Sequence, residues 1–289
     1  MLKKMNDCNI KPFIFGDVVI STSKNQPKIK MMVIQNLNTK VVVLTMTGNI
    51  YTLSNHNVQR ISHIKYNTAK RKFLFSKESE FIQKNIRLDS VSLYSVTDQN
   101  SAIYITDIVR NLPHVTSTTC LIDGTSCIGG NTHAFADKFK TIYAVEIDPN
   151  RYEMLKYNMN LLSRKNVHTI CNDILNIYNK IPLNLKDTIM FLDPPWGGTN
   201  YKQNEKTQLW LGNTSIVDIC NKIIPLFKYV VLKIPYNFDF DHFKKKINLD
   251  SDITVHIISN RIQLLILKEK RIHFIIPSFH ITTKMNNDD

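Results

Sequence analysis

The chain has 289 residues, 43% of them hydrophobic, enough for one sizeable core with room for a small second domain. A formal net charge of +13 and a pI near 9.4 point to a polyanionic partner, or else to solvated lysines that serve solubility only. No apolar run approaches the roughly 18–20 residues that span a bilayer. The five cysteines (Cys8, Cys120, Cys127, Cys171, Cys220) form no CxxC pair, so membrane and metal readings are set aside and the thiols read as reduced, in an intracellular protein.

The charge is uneven. Residues 1–90 hold 15 Lys+Arg against 5 Asp+Glu, and the remainder 22 against 19. Within that basic third, residues 13–62 read as short strands: "FGDVVIST", "KIKMMVIQN", "KVVVLTMTG", "NIYTLS" and "VQRIS". They are rich in β-branched residues and separated by turn formers, which predicts a small antiparallel barrel of SH3 or OB type over residues 1–75. With Lys24, Lys28, Lys30, Lys40 and Arg60 it is either an RNA-positioning module or a plain docking module. Residues 76–100 form a charged, partly helical connecting segment, 101–270 a second domain, and 271–289 a C-terminal tail.

From about residue 100 strands alternate with helices. Strands are expected at "CLID" (120–123), "TIYAVEI" (141–147), "VHTIC" (167–171), "TIMFLD" (188–193) and "YVVLKIP" (229–235). Helices are expected over 130–138, 149–162, 174–180 and 214–225, with a closing hairpin of "ITVHIIS" and "RIQLLILKE". Apolar strands alternating with helices predict an α/β fold, a parallel sheet covered on both faces. Ligands on such sheets bind beyond the C-terminal strand ends.

The residues at those ends carry the chemistry. "DGTSCIGGN" follows the first strand, and its Gly124, Gly129 and Gly130 let the backbone turn closely into a helix. Glu146 stands 23 positions after Asp123, near the spacing at which a carboxylate holds a ribose. Asp148 before Pro149 suits a helix cap. Asp173 is either another cap or an acceptor for an adenine amino group. Together these favour an adenosine-bearing cofactor.

The fourth strand runs into "FLDPPWGGTN". An exocyclic base amine is a poor nucleophile, because its lone pair is delocalised into the ring. The Asp193 carboxylate and the Pro194 carbonyl can accept the amine hydrogens and aim that lone pair, since Pro195 has no N–H to occupy the neighbourhood. Trp196 offers a plane for base stacking, worth about 1–3 kcal/mol, or else plugs a strand end. Trp210 is either a substrate wall or packing. The matching electrophile is the sulfonium methyl of S-adenosylmethionine.

Over residues 87–270 the chain resembles the class I S-adenosylmethionine-dependent methyltransferases, and within them the trimethylguanosine synthase family, which methylates N2 of an m7G RNA cap. The resemblance runs from "RLDSVSLYSVTDQNSAIYITDIV" through "IDGTSCIGGNTHAFA", "IYAVEIDPNRYEMLKYNMN", "ICNDIL" and "FLDPPWGGTNY" to "LKIPYNFD" and "NRIQLLIL". It implies a Rossmann-like seven-stranded sheet, mostly parallel with one antiparallel strand. It also implies that Ser95, Thr97, Asp123, Gly124, Thr125, Gly129, Glu146, Asp173 and Asp193 surround S-adenosylmethionine. Asp193, Pro194 and Trp196 would be catalytic, with Trp196, Tyr201 and Pro235 against the substrate and no metal. A cationic m7G gains from an indole face through cation–π attraction.

The family usually has Ser where this chain has Asp193, and Asp-Pro-Pro-Trp also occurs in adenine-N6 methyltransferases. The expected partner is therefore m7G-capped RNA, acted on by a monomer. Adenine-N6 methylation is the alternative, and a non-catalytic cap-binding module a second. A carboxylate at 193 binds an unmethylated amine firmly, so the first methylation is expected to outpace the second. The Lys-, Asn- and Ile-heavy composition is that of an AT-rich genome, as in protists or large DNA viruses, and the protein is expected in the nucleus or cytoplasm, the host cytoplasm if it is viral.

Overall fold

A computed structural model describes residues 17–22, 30–37, 39–45, 50–63, 68–248 and 251–270. Lys24, Lys28, Cys8 and the tail 271–289 lie outside the described residues. The chain forms two compact units, Met1–Phe73 and Leu74–Asp289.

The first unit is a five-stranded antiparallel sheet of β1 (Asp17–Ser21), β2 (Lys30–Asn36), β3 (Lys40–Thr45), β4 (Ile50–Ser54) and β5 (Val58–His63), in the order β4-β3-β2-β1-β5. Alternation decides which face is buried: Val19, Met31, Val33, Val41, Val43 and Val58 form its core. Register shifts at Val18/Val19 and Val33/Gln35 bend the strands, as bulges do. Lys40 is exposed at the start of β3.

Helix α1 (Thr68–Leu74) carries the chain into the second unit, where α2 (Glu80–Asn85), α3 (Ser92–Ser95) and α4 (Gln99–Arg110) precede the sheet. The elements then run β6 (Cys120–Asp123), α5 (Gly130–Phe135), β7 (Ile142–Glu146), α6 (Pro149–Leu161), β8 (Val167–Cys171), α7 (Ile174–Ile177) and β9 (Thr188–Leu192). A short hairpin, β10 (Trp210–Leu211) and β11 (Thr214–Ser215), leads to α8 (Ile216–Ile223) and β12 (Tyr229–Pro235). The unit closes with α9 (Phe240–Lys246), β13 (Ser251–Ile257) and β14 (Ile262–Glu269). Expected strands and helices appear at their predicted places, with α5 and α7 shorter than the periodicity implied. The β10–β11 hairpin and α9 were not expected, being too short to set up a periodic pattern.

The seven strands lie in the order β13-β14-β12-β9-β6-β7-β8. The β8, β7, β6, β9 and β12 ladders are parallel, and β14 is antiparallel to both β12 and β13. This is the class I methyltransferase sheet. Successive side chains alternate between two cores. Ile122, Met190, Leu192, Val230 and Leu232 pack on one face with α8, whereas Leu121, Ile189, Phe191, Tyr229 and Val231 pack on the other with Phe135 of α5 and Ile105 of α4. Strand order reverses beside β6, since β7 lies on one flank and β9 on the other. The crevice above their C-terminal ends is where such sheets take ligands.

Candidate active site

Two turns build the floor of that crevice. In the first, Ser126 N–H donates to the Val145 carbonyl (2.9 Å) and its hydroxyl to the Asp123 carbonyl (2.8 Å). Gly129 then adopts φ +100 as the N-cap of α5, a conformation that costs glycine nothing. The glycines serve different ends. A Cβ on Gly124 would stand 2.7 Å from Leu192 Cδ2 and 2.9 Å from Ile174 Cγ1, so this glycine lets the turn pack on the sheet. A Cβ on Gly130 would stand 2.7 Å from Val96 Cγ1 and 3.1 Å from the Thr97 carbonyl oxygen, so this one lets the segment before α4 lie on α5. Gly130→Ala is therefore expected to displace Thr97 and weaken S-adenosylmethionine roughly five- to hundredfold, since overpacking of this kind costs about 1–3 kcal/mol. Calorimetric titration checks it, and unchanged affinity would remove Thr97 from the site.

Acidic residues close or follow each of the strands β6, β7 and β8. Asp123 is buried at the end of β6; its Oδ2 accepts from the Thr132 hydroxyl (2.6 Å) and its Oδ1 from Thr125 N–H (3.4 Å). Burial pushes its carboxyl up to about 7, against the pull of the Thr132 and Thr125 bonds, and the Asp193 and Glu146 charges add to the rise. Glu146, at the end of β7, accepts from Cys127 N–H (2.8 Å) on Oε2 and from Asp148 N–H (2.9 Å) on Oε1, with Arg151 Nε 3.4 Å away. A carboxylate has about four lone-pair sites, so one on Oε2 remains for a ribose hydroxyl. Asp148 caps α6 through Asn150 and Arg151 N–H, with Pro149 in the first turn. Asp173 is seen as a cap too: its Oδ1 accepts from Leu175 N–H (2.9 Å) at the start of α7.

The second turn is the Asp193 loop. Asp193 N–H donates to the Thr125 hydroxyl (2.6 Å), so Thr125 ties this loop to the first turn. The Asp193 Oδ2 accepts from Lys233 Nζ at 2.6 Å. Burial raises the Asp193 carboxyl, and Lys233 opposes that rise. Pro194 is buried and Pro195 exposed. Trp196 is half-buried and packs on the margin of the α8-side core. Tyr201 meets it edge-on, with centroids 5.2 Å apart at 77°, and Lys233 Nζ stands 4.9 Å from the indole centroid. Tyr201 is itself placed by Asn237, whose Nδ2 donates to the carbonyls of Tyr201 (2.9 Å) and Asn204 (2.8 Å). Pro235 ends β12 and its carbonyl accepts from Phe238 N–H. Trp210 is 46% exposed on β10, which rules out a core-packing role.

The segment before α4 is held over this floor by bonds that sequence reasoning missed. Asn158, fully buried on α6, accepts from Arg87 N–H (2.8 Å) and donates to the carbonyls of Arg87 (2.9 Å) and Ile128 (3.0 Å). Arg164 Nε donates to His133 Nδ1 (2.8 Å), which leaves the ring proton on Nε2 to donate to Glu78 (2.8 Å). Gln99 Nε2 joins the same Glu78 oxygen at 2.8 Å. Burial and Arg164 hold the His133 pKa down, so the ring stays neutral. Ser95 lies beside Cys127, its hydroxyl 3.7 Å from Sγ. Burial pushes the Cys127 thiol up to about 12, which removes it as a nucleophile.

These residues fit S-adenosylmethionine. Thr97 Oγ1 and Asn131 Oδ1 flank the Gly-rich turn, buried and without a hydrogen-bond partner among the described residues. Unpaired buried polar groups cost about 1–3 kcal/mol each, a cost that a polar ligand offsets. Among the described residues no group of three or more His, Cys, Asp or Glu is arranged to hold a metal.

Residues 118–278 match the family model described as RNA cap guanine-N2 methyltransferase. The trimethylguanosine synthase of Schizosaccharomyces pombe is 31% identical over 171 residues, covering 57% of this chain and 68% of the yeast protein. An uncharacterized protein of Acanthamoeba polyphaga mimivirus is 28% identical over 197 residues, covering 60% and 76%. Among solved structures, an rRNA methylase from Streptococcus thermophilus aligns with a TM-score of 0.41 at 12% identity, over 60% of this chain and 95% of that one. The sequence matches favour neither adenine-N6 methylation nor a non-catalytic cap-binding module. The chain belongs to the RNA cap guanine-N2 methyltransferase family and is an S-adenosylmethionine-dependent enzyme.

Proposed function

We propose that this enzyme methylates N2 of the m7G cap guanine of RNA, working as a monomer, with Asp193, Pro194 and Trp196 as its catalytic residues. The observation that carries this reading is the convergence of Asp123 and Asp193 at adjacent strand ends beside an indole, all beyond the point where strand order reverses. Bound over the Gly-rich turn, S-adenosylmethionine supplies an electrophilic methyl group. The Asp193 carboxylate and the Pro194 carbonyl accept the N2 hydrogens and orient the lone pair. Trp196 stacks on the base, and Tyr201 braces the indole edge. Trp196 Nε1 is buried without a hydrogen-bond partner among the described residues, so the ring can shift onto a base without breaking a bond. Glu146, Asp173, Thr97 and the Thr125–Gly129 turn hold the cofactor, with Ser95 at its margin. A single chain supplies every one of these groups, so the reading needs no residue from a partner subunit. The enzyme acts where capped RNA is found, in the nucleus or cytoplasm, and no helix among the described residues is long and apolar enough to cross a membrane.

The test is turnover on m7GDP, GDP and an adenine-containing oligonucleotide side by side. Activity on m7GDP is expected, and activity on the oligonucleotide alone would overturn the reading. With one Asp193 oxygen engaged by Lys233, the other is left for the amine, and a methylated amine offers it one hydrogen fewer. The first methylation is therefore expected to outpace the second roughly tenfold, the loss of about one charge-assisted bond. Mass spectrometry over a time course reads both products; equal rates would refute this ordering.

A further inference from the structure

We propose that Lys233 is a positioning residue for methyl transfer: from β12 its ammonium clamps one oxygen of Asp193 and leaves the other for the guanine edge. The inference rests on the reading of Asp193 given above. No motif in the sequence singles out this lysine.

The sheet explains how it comes to be there. In the parallel ladder Val231 pairs with Phe191, and both side chains lie in the core on the α4–α5 side. Two residues further on stand Lys233, still within β12, and Asp193, the first residue past the end of β9, their side chains joined at 2.6 Å. An apolar ladder thus ends in an ion pair at the mouth of the crevice, with the side chains 4% and 14% exposed.

Stability does not account for that pair. Every residue of β12 is buried, and Lys233 pairs across β14 with Leu264. Burying an ammonium and a carboxylate costs several kcal/mol per ion, and replacing such a pair by packed apolar side chains is commonly neutral or stabilising. The pair is better explained by what it does for Asp193. The charged groups facing Asp193 are Lys233 from β12 and Asp123 from β6, with Glu146 behind Asp123 on β7. Two of these three are carboxylates, burial already disfavours ionisation and Lys233 is what opposes it, so removing Lys233 moves the Asp193 carboxyl toward its protonated form. A protonated Asp193 donates where it must accept, and the amine loses its guide.

In the step itself the N2 lone pair forms the new bond to the methyl carbon. The methyl–sulfur bonding pair stays on sulfur, and one amine proton leaves to water past the Asp193 oxygen that accepts it. Lys233 forms no bond to the substrate. Its role is to keep that acceptor charged and aimed.

The experiment compares Lys233→Met, Lys233→Arg, Asp193→Asn and the Asp193→Asn/Lys233→Met double variant in the full chain. The readouts are turnover on m7GDP from pH 6.5 to 9, m7GDP affinity by tryptophan quenching, and melting temperature. Lys233→Met is expected to lose about 100-fold in turnover at pH 7, as for breaking a buried pair. Its ratio to the wild type should climb as pH rises and Asp193 ionises unaided. Lys233→Arg, which keeps the charge, should restore the wild-type pH profile. A loss independent of pH, in Lys233→Met or, should that variant not fold, in Lys233→Arg, would overturn the proposal, as would a double variant as active as the wild type. Wild-type activity in Asp193→Asn would instead sink the role of Asp193. An inactive Asp193→Asn beside a normal Lys233→Met would sink Lys233 alone.

Discussion

Trp196→Ala is expected to lower kcat/KM on m7GDP by two to three orders of magnitude, with S-adenosylmethionine affinity held within about twofold. Base stacking contributes about 1–3 kcal/mol and the attraction of a cationic base to an indole face about 2 kcal/mol. At about 1.4 kcal/mol per decade, the two together account for that loss. Trp196→Phe keeps a stacking plane with a weaker face and should fall between the two. The preference for m7GDP over GDP should shrink in step, because only the cationic base gains from the indole charge distribution. Trp196 also packs on the core margin, so melting temperature must be recorded beside the kinetics. Equal losses on m7GDP and GDP, with a lowered melting temperature, would mean that the indole is a structural plug.

S-adenosylmethionine should bind more tightly as pH rises toward 7 and level off above it, with Asp123 as the cause. Its buried carboxyl is pushed up to about 7, whereas an unfolded aspartate titrates near about 3.9. The free enzyme therefore carries a protonated Asp123 below neutrality, and a ligand bearing sulfonium and ammonium charges favours the ionised form. Affinity should gain on the order of tenfold per pH unit below 7, with about one proton released on binding. Calorimetry in buffers of different ionisation enthalpy counts that proton. Asp123→Asn should bind weakly at every pH and release none. Folding without ligand runs the opposite way with pH. A carboxyl raised in the folded state stabilises the fold fully below the unfolded pKa, and that contribution is lost as pH rises through about 7, on the order of 4 kcal/mol in all. A ligand-free enzyme that melts at the same temperature at pH 5 and pH 7.5, with pH-independent binding, would refute both.

What the sequence determined by itself is local. Strand and helix periodicity, the Asp148-Pro149 cap, the Gly-rich turn and the acidic residue closing each strand are all set by neighbours within a few positions. So is the Pro-Pro-Trp loop, whose backbone chemistry forbids a continuing strand. These were enough to place Asp123, Glu146, Asp173 and Asp193 at strand ends. Other roles depend on partners far along the chain. Asp173 had two local readings: its Oδ1 caps α7 through Leu175 N–H, and Oδ2 is the oxygen left for the cofactor role proposed above. Gly124 is small because Leu192 packs over it from another strand. Asn158 holds Arg87 from 71 residues away, and His133 meets Glu78 across 55. Lys233 reads in the chain as one cation in an apolar strand, and becomes the partner of Asp193, 40 residues off, only because β12 lies beside β9 in register. Periodicity tells which face of a strand a side chain is on. It does not tell which strand lies next to it, and in this enzyme that neighbour decides whether a buried lysine is a burden on the fold or the counter-ion of its central carboxylate.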